Sequence, residues 1–196
     1  MRRRTFDALM VAAGLALAAV LLVAGVLLTW GHNFVSNEVR SQLVAQKIVF
    51  PPAASDSVKS LPKADAAAMR VYGGQEMTTG AQAQTYADHF IAVHLSEIGG
   101  GLTYSQLSAK AMADPTNTKL ADQVATVFKG TTLRGMLLNA YGFWQMGQIA
   151  LFGAIAAFAG AALMLILSLA GAWHLRRVPE TAEVFNKVTH PEAQTV

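Results

Sequence analysis

The stretch from Ala8 to Trp30, ALMVAAGLALAAVLLVAGVLLTW, decides the fold class because it carries no charged residue. As a helix rising 1.5 Å per residue it is about 34 Å long, enough to cross the hydrocarbon layer of a bilayer. A signal peptide would share the basic start at Arg2, Arg3 and Arg4, but its apolar core is shorter and ends at a small-residue cleavage site. Residues 8–30 are therefore predicted to form an uncleaved transmembrane helix.

A second uncharged stretch covers residues 143–174, and Arg176 and Arg177 follow it directly. Arginine clusters beside a span mark its cytoplasmic side, and the three N-terminal arginines mark the same side of the first span. Both ends of the chain, residues 1–7 and 175–196, are thus predicted to be cytoplasmic, and residues 31–142 to be extracytoplasmic. Interfacial aromatic residues fit this topology, with Trp30, Tyr141 and Trp144 at the outer membrane surface and Trp173 at the inner one.

The composition excludes several classes of protein. The 196 residues are 53% hydrophobic and 14% charged, a much smaller charged share than soluble domains carry. The absence of cysteine excludes disulfides, thiol nucleophiles and Cys-ligated metals within this sequence. Acidic and basic residues nearly balance in the segment 31–142, so the net charge of +3 reflects the arginines that flank the spans. A nucleic-acid partner is therefore not expected.

Small residues recur at four-residue spacing in both predicted spans, a pattern that lets helix backbones approach closely in lipid. The candidate packing positions are Gly14, Ala18, Gly153, Ala157 and Gly160. Neither span contains Asp, Glu, Lys or Arg, which argues against ion or proton transport by these two helices alone. Because two helices bury little surface, we expect partners besides the lipid bilayer, either further copies of the chain or other membrane protein subunits.

The segment between the spans is predicted to be helical. The first span should continue outward to about Gln46. A long irregular crossover, with one turn of helix around Ala64–Val71, should fill residues 51–79 because prolines and glycines interrupt it. Helices are then predicted over residues 79–98, 103–113 and 118–130, with a final helix from Thr131 into the second span. The expected fold class is an all-α membrane protein, in which two transmembrane helices extend outward and are capped by a small helical extracytoplasmic domain.

Two histidines on one predicted helix raise the question of a metal site. At 100° per residue, His89 and His94 lie about 140° apart on a regular helix and cannot bind one ion together. His94 falls in the apolar stripe of that helix and is a candidate polar site, whereas His89 falls on the polar side and is expected to be solvated. No metal ligand, cofactor or catalytic residue is predicted.

Short motifs follow one another along the chain: Gln46-Lys47-Ile48, Phe50-Pro51-Pro52, Tyr86-Ala87-Asp88, Phe90-Ile91, His94-Leu95, Leu133-Arg134-Gly135 and Leu138-Asn139-Ala140-Tyr141-Gly142. Their order resembles an uncharacterised family of actinobacterial two-span integral membrane proteins, over most of residues 5–175. The resemblance implies the same topology and an actinobacterial envelope setting. Members often carry the label aromatic ring-opening dioxygenase, an activity that needs several His and carboxylate ligands around a metal, and this sequence offers no adequate set.

Three functions are weighed against these patterns. The first is a non-enzymatic membrane protein of the cell envelope, acting as a homo-oligomer or as an accessory or structural subunit of a larger membrane complex. The second is an extracytoplasmic sensor or ligand-binding module, which would need a separate signalling partner because no output domain is recognised. The third is a metal-dependent enzyme using His89 and His94, which the spacing of the two residues disfavours.

Overall fold

A computed structural model describes residues 2–179 of the chain. Over these residues the protein is all-helical and contains no β-strand; an isolated antiparallel bridge joins Val49 and Glu76. The elements are α1 (Arg3–Ala45), α2 (Asp56–Lys59), α3 (Lys63–Val71), α4 (Gly80–Tyr86), a π-helical turn (Ala87–Ile91), α5 (Ala92–Ile98), α6 (Tyr104–Ala113) and α7 (Thr118–Leu175). The predicted all-α class is confirmed, and the predicted C-terminal tail lies outside the described residues from residue 180 onward.

Two of these helices are long and apolar enough to cross a membrane: α1 with 43 residues and α7 with 58. Only 11% of the most apolar stretch of α1 and 17% of that of α7 are buried inside the protein. A core helix of a soluble protein would bury most of such a stretch, because exposed apolar surface is unfavourable in water. The outward-facing apolar surface is what a membrane span presents to lipid.

The chain divides by its internal contacts into two compact units. The span unit comprises the chain up to Trp30 and from Leu151 onward, and the central unit comprises Gly31–Ala150. Both long helices contribute to both units, because α1 continues to Ala45 and α7 begins at Thr118. The helix predicted to continue the first span to about Gln46 is present, because α1 runs unbroken to Ala45.

In the span unit, α1 and α7 pack antiparallel through small residues. A methyl group in place of the hydrogen of Gly14 would overlap the Ser168 side chain, and one at Gly25 would lie 2.7 Å from the Phe158 ring. The facing positions on α1 alternate by three and four residues, as in a left-handed coiled coil. They are Val11, Gly14, Ala18, Leu21, Gly25 and Leu28. Val11 lies opposite Gly171, Gly14 opposite Ser168, Leu21 opposite Gly160, Gly25 opposite Phe158 and Leu28 opposite Gly153. Ala18 is buried.

The five small residues predicted to pack helices therefore lie along this contact or beside it. Ala18 and Ala157 are buried, and Gly14 meets Ser168. Methyl groups added at Gly153 and Gly160 would each lie 3.3 Å from a leucine methyl carbon of α1. These small residues allow α1 and α7 of the same chain to pack closely.

The core of the central unit is built mostly from the segment between α1 and α4. Its largest fully buried side chains are Phe50, Met69, Met77 and Val58. They belong to one cluster with Val39 and Leu43 of α1, Ala83 and Ala87 of the α4 region, and Leu137 of α7. The short elements are therefore held on the two long helices by apolar burial.

The predicted crossover over residues 51–79 contains two helices: α3 covers the turn of helix predicted around Ala64–Val71, whereas α2 was not predicted. Its two ends are tied together: Phe50 N–H donates to Gln75 O over 2.8 Å, and Met77 N–H donates to Ile48 O over 2.8 Å. Periodicity missed α2 because it spans only 4 residues, and it gave α3 as a single turn although this helix has 9 residues.

Gln82 fixes the start of α4. Its side-chain oxygen accepts from the backbone N–H of Thr78 over 2.8 Å and from that of Thr79 over 3.0 Å, and both threonine hydroxyls lie 3.2 Å from it. Thr79 and Gln82 form a capping box, so donors left open at the helix N-terminus are satisfied. This arrangement confirms Thr79 as the helix start predicted from the sequence.

The predicted break between residues 130 and 131 is also wrong, because α7 runs unbroken through Gly130. A glycine inside a helix costs about 1 kcal/mol relative to alanine, which tertiary packing can offset. Here a Cβ at Gly130 would overlap the side chain of Leu95, so the missing methyl group makes room for that leucine. The glycine is a contact position and not a helix end.

Gly80 gives a direct test of the packing between α4 and α7. A Cβ at Gly80 would overlap Trp144 Cβ and lie 3.1 Å from Tyr141 Cα, atoms that cannot move without shifting α7. We expect Gly80→Ala to lower the free energy of unfolding by about 1–3 kcal/mol, as overpacking does. The measurement is thermal unfolding in detergent, followed by circular dichroism.

The matched control is Gly135→Ala in α7, where an added Cβ meets no atom within 4 Å. This change should leave stability unchanged or raise it by about 1 kcal/mol through helix propensity. Equal behaviour of the two variants would contradict the described contact between α4 and α7.

Candidate functional site

The densest cluster of ionisable side chains surrounds the π-helical turn Ala87–Ile91 of the central unit. The N–H of Ala92 donates to the carbonyl of Ala87, five residues earlier, which adds one residue to this turn of the helix. The regular 100° spacing used to place His89 and His94 therefore does not hold between them. Such single π turns occur often at functional sites, so the surrounding contacts decide the role of this one.

Asp88 of the turn binds Arg134 of α7. The Asp88 carboxylate accepts from Arg134 Nη2 over 2.6 Å, and the Ala87 carbonyl accepts from Arg134 Nε over 3.2 Å. The two side chains are 33% and 37% exposed, so this charge-assisted pair is partly shielded from water. Arg134 thereby holds both a side chain and the backbone of the π turn against α7.

His89 faces a different neighbour, Asp65 of α3. The Nδ1 atom of His89 lies 2.7 Å from a carboxylate oxygen of Asp65. An ionised carboxylate only accepts, so Nδ1 carries the hydrogen in this contact. The His89 side chain is 39% exposed, so it reaches water as expected, but its pairing with Asp65 of α3 was not predicted.

His94 follows the π turn and is also engaged within the fold. Its Nδ1–H donates to the carbonyl of Phe90 over 2.8 Å, and its ring centroid lies 4.4 Å from that of Phe90. The ring ends a chain of aromatic contacts that runs from Tyr72 through Phe50, Tyr86 and Phe90. Burial raises the pKa of the Tyr86 phenol, as expected for a hydroxyl in this apolar surrounding.

These pairs do not combine into a metal centre. Over residues 2–179, no three or more His, Asp or Glu side chains lie together in a group that could hold a metal ion. The His89–Asp65 pair resembles the base and orienting acid of a catalytic triad, but a triad needs a nucleophile within hydrogen-bond reach of the histidine. No hydroxyl or thiol contact to His89 is present among the described residues.

The aromatic and basic residues predicted to lie at the membrane surfaces differ in their surroundings. Trp30 and Trp173 are exposed, and the guanidinium carbon of Arg177 lies 4.3 Å from the Trp173 ring centre. Trp144 packs against the core of the central unit and stacks on Tyr141 at 6.2 Å between ring centres. The remaining topology-setting residues, Arg2, Arg3, Arg4 and Arg176, are exposed.

The central unit also carries an open groove between its parts of α1 and α7, with a volume of about 500 Å³. Val39, Leu43 and Leu137 form a buried floor, and Met136 and Phe143 on the wall are 61% and 59% exposed. The full lining consists of Phe34, Val35, Glu38, Val39, Gln42, Leu43, Gln46, Leu133, Met136, Leu137, Asn139, Ala140 and Phe143. We call this surface the α1–α7 groove. The sequence did not predict this groove, although Met136 and Phe143 are large apolar residues in a segment predicted to lie outside or at the edge of the membrane.

No protein-family model, no curated protein and no solved structure matches the chain. The resemblance to actinobacterial two-span membrane proteins therefore stays a prediction, and function is argued from the geometry of the chain itself.

The Arg134–Asp88 contact predicts a measurable coupling. A double-mutant cycle with Arg134→Met and Asp88→Ala should give a coupling energy of about 1 kcal/mol, because the pair is only partly exposed and well aligned. The measurement is chemical unfolding of the two single variants and the double variant in detergent.

The chain offers a matched control in Lys59 and Asp56 of α2, whose ion pair is longer, at 3.4 Å, and largely exposed to water. The same cycle there should give no measurable coupling. A result at Arg134–Asp88 as small as at the control pair would contradict its role in holding the π turn to α7.

Proposed function

We propose that this chain is a non-enzymatic integral membrane protein of the cell envelope that acts as an accessory or structural subunit of a larger membrane complex. In this proposal α1 and α7 each cross the bilayer once, both termini are cytoplasmic and the central unit lies outside. The arginines next to both apolar stretches support this orientation.

The observation that carries the proposal is the α1–α7 groove. Met136 and Phe143 expose most of their side chains on its wall although the rest of the central unit has a compact core. Exposed apolar surface of this kind, mixed with the polar groups of Glu38, Gln42 and Asn139, is typical of sites that bind another molecule. A subunit of a complex would cover this surface when assembled.

The polar side chains support a non-enzymatic role. Arg134 is engaged with Asp88, His89 with Asp65, and His94 with the Phe90 carbonyl. His32 adds a fourth contact, since its Nδ1–H donates to the Gly147 carbonyl over 2.8 Å and joins α1 to α7 within the central unit. Each of these four contacts connects one helix to another or to itself.

The volume of the groove favours a second candidate, a ligand-binding or sensor module. A cavity of about 500 Å³ lies within the size range of small-molecule sites. Such a module would bind its ligand without a companion protein, so the composition of the native complex separates the two candidates.

The test is the mass of the tagged protein purified from its native membranes in a mild detergent. The proposal predicts a species heavier than the 20.8 kDa chain with its detergent, containing a companion protein at fixed stoichiometry. A homo-oligomer would be consistent with a structural role but would contradict the role as an accessory subunit. A monomer with no companion would contradict the proposal and favour the ligand-binding module.

A further inference from the structure

We infer that the α1–α7 groove binds one apolar helix of a different membrane-associated protein, and that this helix carries a basic side chain opposite Glu38. The inference rests on the proposed function and specifies the chemistry of the partner. It follows from the packing of the central unit, the dimensions of the groove and the charge on its wall.

The packing of the central unit leaves room for one more helix. Val39, Leu43 and Leu137 of the two long helices share a core with Ala83, Ala87 and Ile91 of the α4 and π-turn region. The same three residues of α1 and α7 also form the floor of the groove. Helix pairs that are covered on one side and apolar on the other are completed in bundles by a further helix.

The dimensions fit a short helix. The groove follows α1 from Phe34 to its end at Ala45, about 17 Å at 1.5 Å per residue, so an occupying helix needs about three turns. Leu133, Met136 and Phe143 are spaced along α7 at the same groove. An occupant with apolar residues at i, i+3 or i+4, and i+7 would contact these side chains in turn.

The negative charge of the groove determines which apolar helices can bind there. Glu38 is the charged residue of its lining, and its carboxylate accepts from the Gln42 amide over 2.7 Å. Over the part of the chain that the structure describes, no Lys or Arg forms an ion pair with Glu38. A helix that covers the groove would remove water from this carboxylate, which is unfavourable unless the helix supplies a cation.

The same carboxylate disfavours a second copy of the chain as the occupant. Two copies in one bilayer with the same topology are related by an axis along the membrane normal, so identical residues lie at the same depth. A groove-to-groove dimer would bring two Glu38 carboxylates to one level in a partly dehydrated interface. Like charges placed together in this way oppose association, whereas a basic partner side chain favours it.

The experiment is photo-crosslinking in the cells that normally make the protein. The photoreactive amino acid p-benzoylphenylalanine replaces Phe143 in one variant and Met136 in another, and mass spectrometry of the adduct identifies the crosslinked segment. The control places it at Met112 of α6, which is exposed but lies outside the groove. We expect both groove variants, but not the control, to crosslink one helical segment of another protein that carries Lys or Arg within about one turn of the attachment site.

The charge is tested in the same crosslinking variants. Glu38→Lys should reduce the adduct at least tenfold, and Glu38→Gln should reduce it less, because the amide keeps the shape without the charge. Both substitutions lie on an exposed position of α1, so the melting temperature of the protein in detergent should stay unchanged.

Crosslinks to a second copy, to lipid alone or to nothing would overturn the inference, as would an adduct that is insensitive to the charge at position 38. These outcomes are distinguishable from failure of the proposed function. A companion protein present in the native complex but absent from the groove adducts would retain the accessory role and place the contact elsewhere. A native complex without any companion protein would contradict both the proposed function and this inference.

Discussion

The close approach of α1 and α7 is the constraint on which the other features depend. In the span unit this approach requires glycine at position 14 against Ser168 and at position 25 against Phe158. In the central unit the same two helices are joined by the hydrogen bond from His32 to the Gly147 carbonyl. Because lipid gives no hydrophobic drive for helix association, tight packing at small residues is what holds such a pair together in a membrane.

In the central unit, short helices cover one side of the α1–α7 pair and leave the other side open. Apolar residues from the short helices cover one side of the pair, and the π turn fixes their position through Asp88 with Arg134 and His89 with Asp65. Asp88 and His89 are adjacent in the chain, yet each meets a partner on a different helix. The other side remains the open α1–α7 groove, a surface suited to binding another molecule.

The sequence predicts the elements that uncharged runs or helix caps mark, and it fails where tertiary contacts decide the outcome. Uncharged runs and helix caps identify α1, the start of α4 at Thr79 and α6 after Thr103, whose capping box with Gln106 is present. Local patterns fail at Gly130, which stays helical because it accommodates Leu95, and at α2, which is too short to show a period. The groove could not be predicted either, since it requires knowing which faces of α1 and α7 the short helices leave open.

The pairing of α1 with α7 can be tested directly because the chain has no cysteine. A Cβ placed at Gly14 would lie 3.6 Å from Ser168 Cβ, within the range that a disulfide requires. The variant Gly14→Cys with Ser168→Cys should therefore form an intrachain disulfide in isolated membranes under mild oxidation, measured as loss of two thiols per chain by intact mass. The control, Gly14→Cys with Leu169→Cys, should keep both thiols because Leu169 faces outward. Equal oxidation of the two variants, or disulfides only between chains, would contradict the helix pairing.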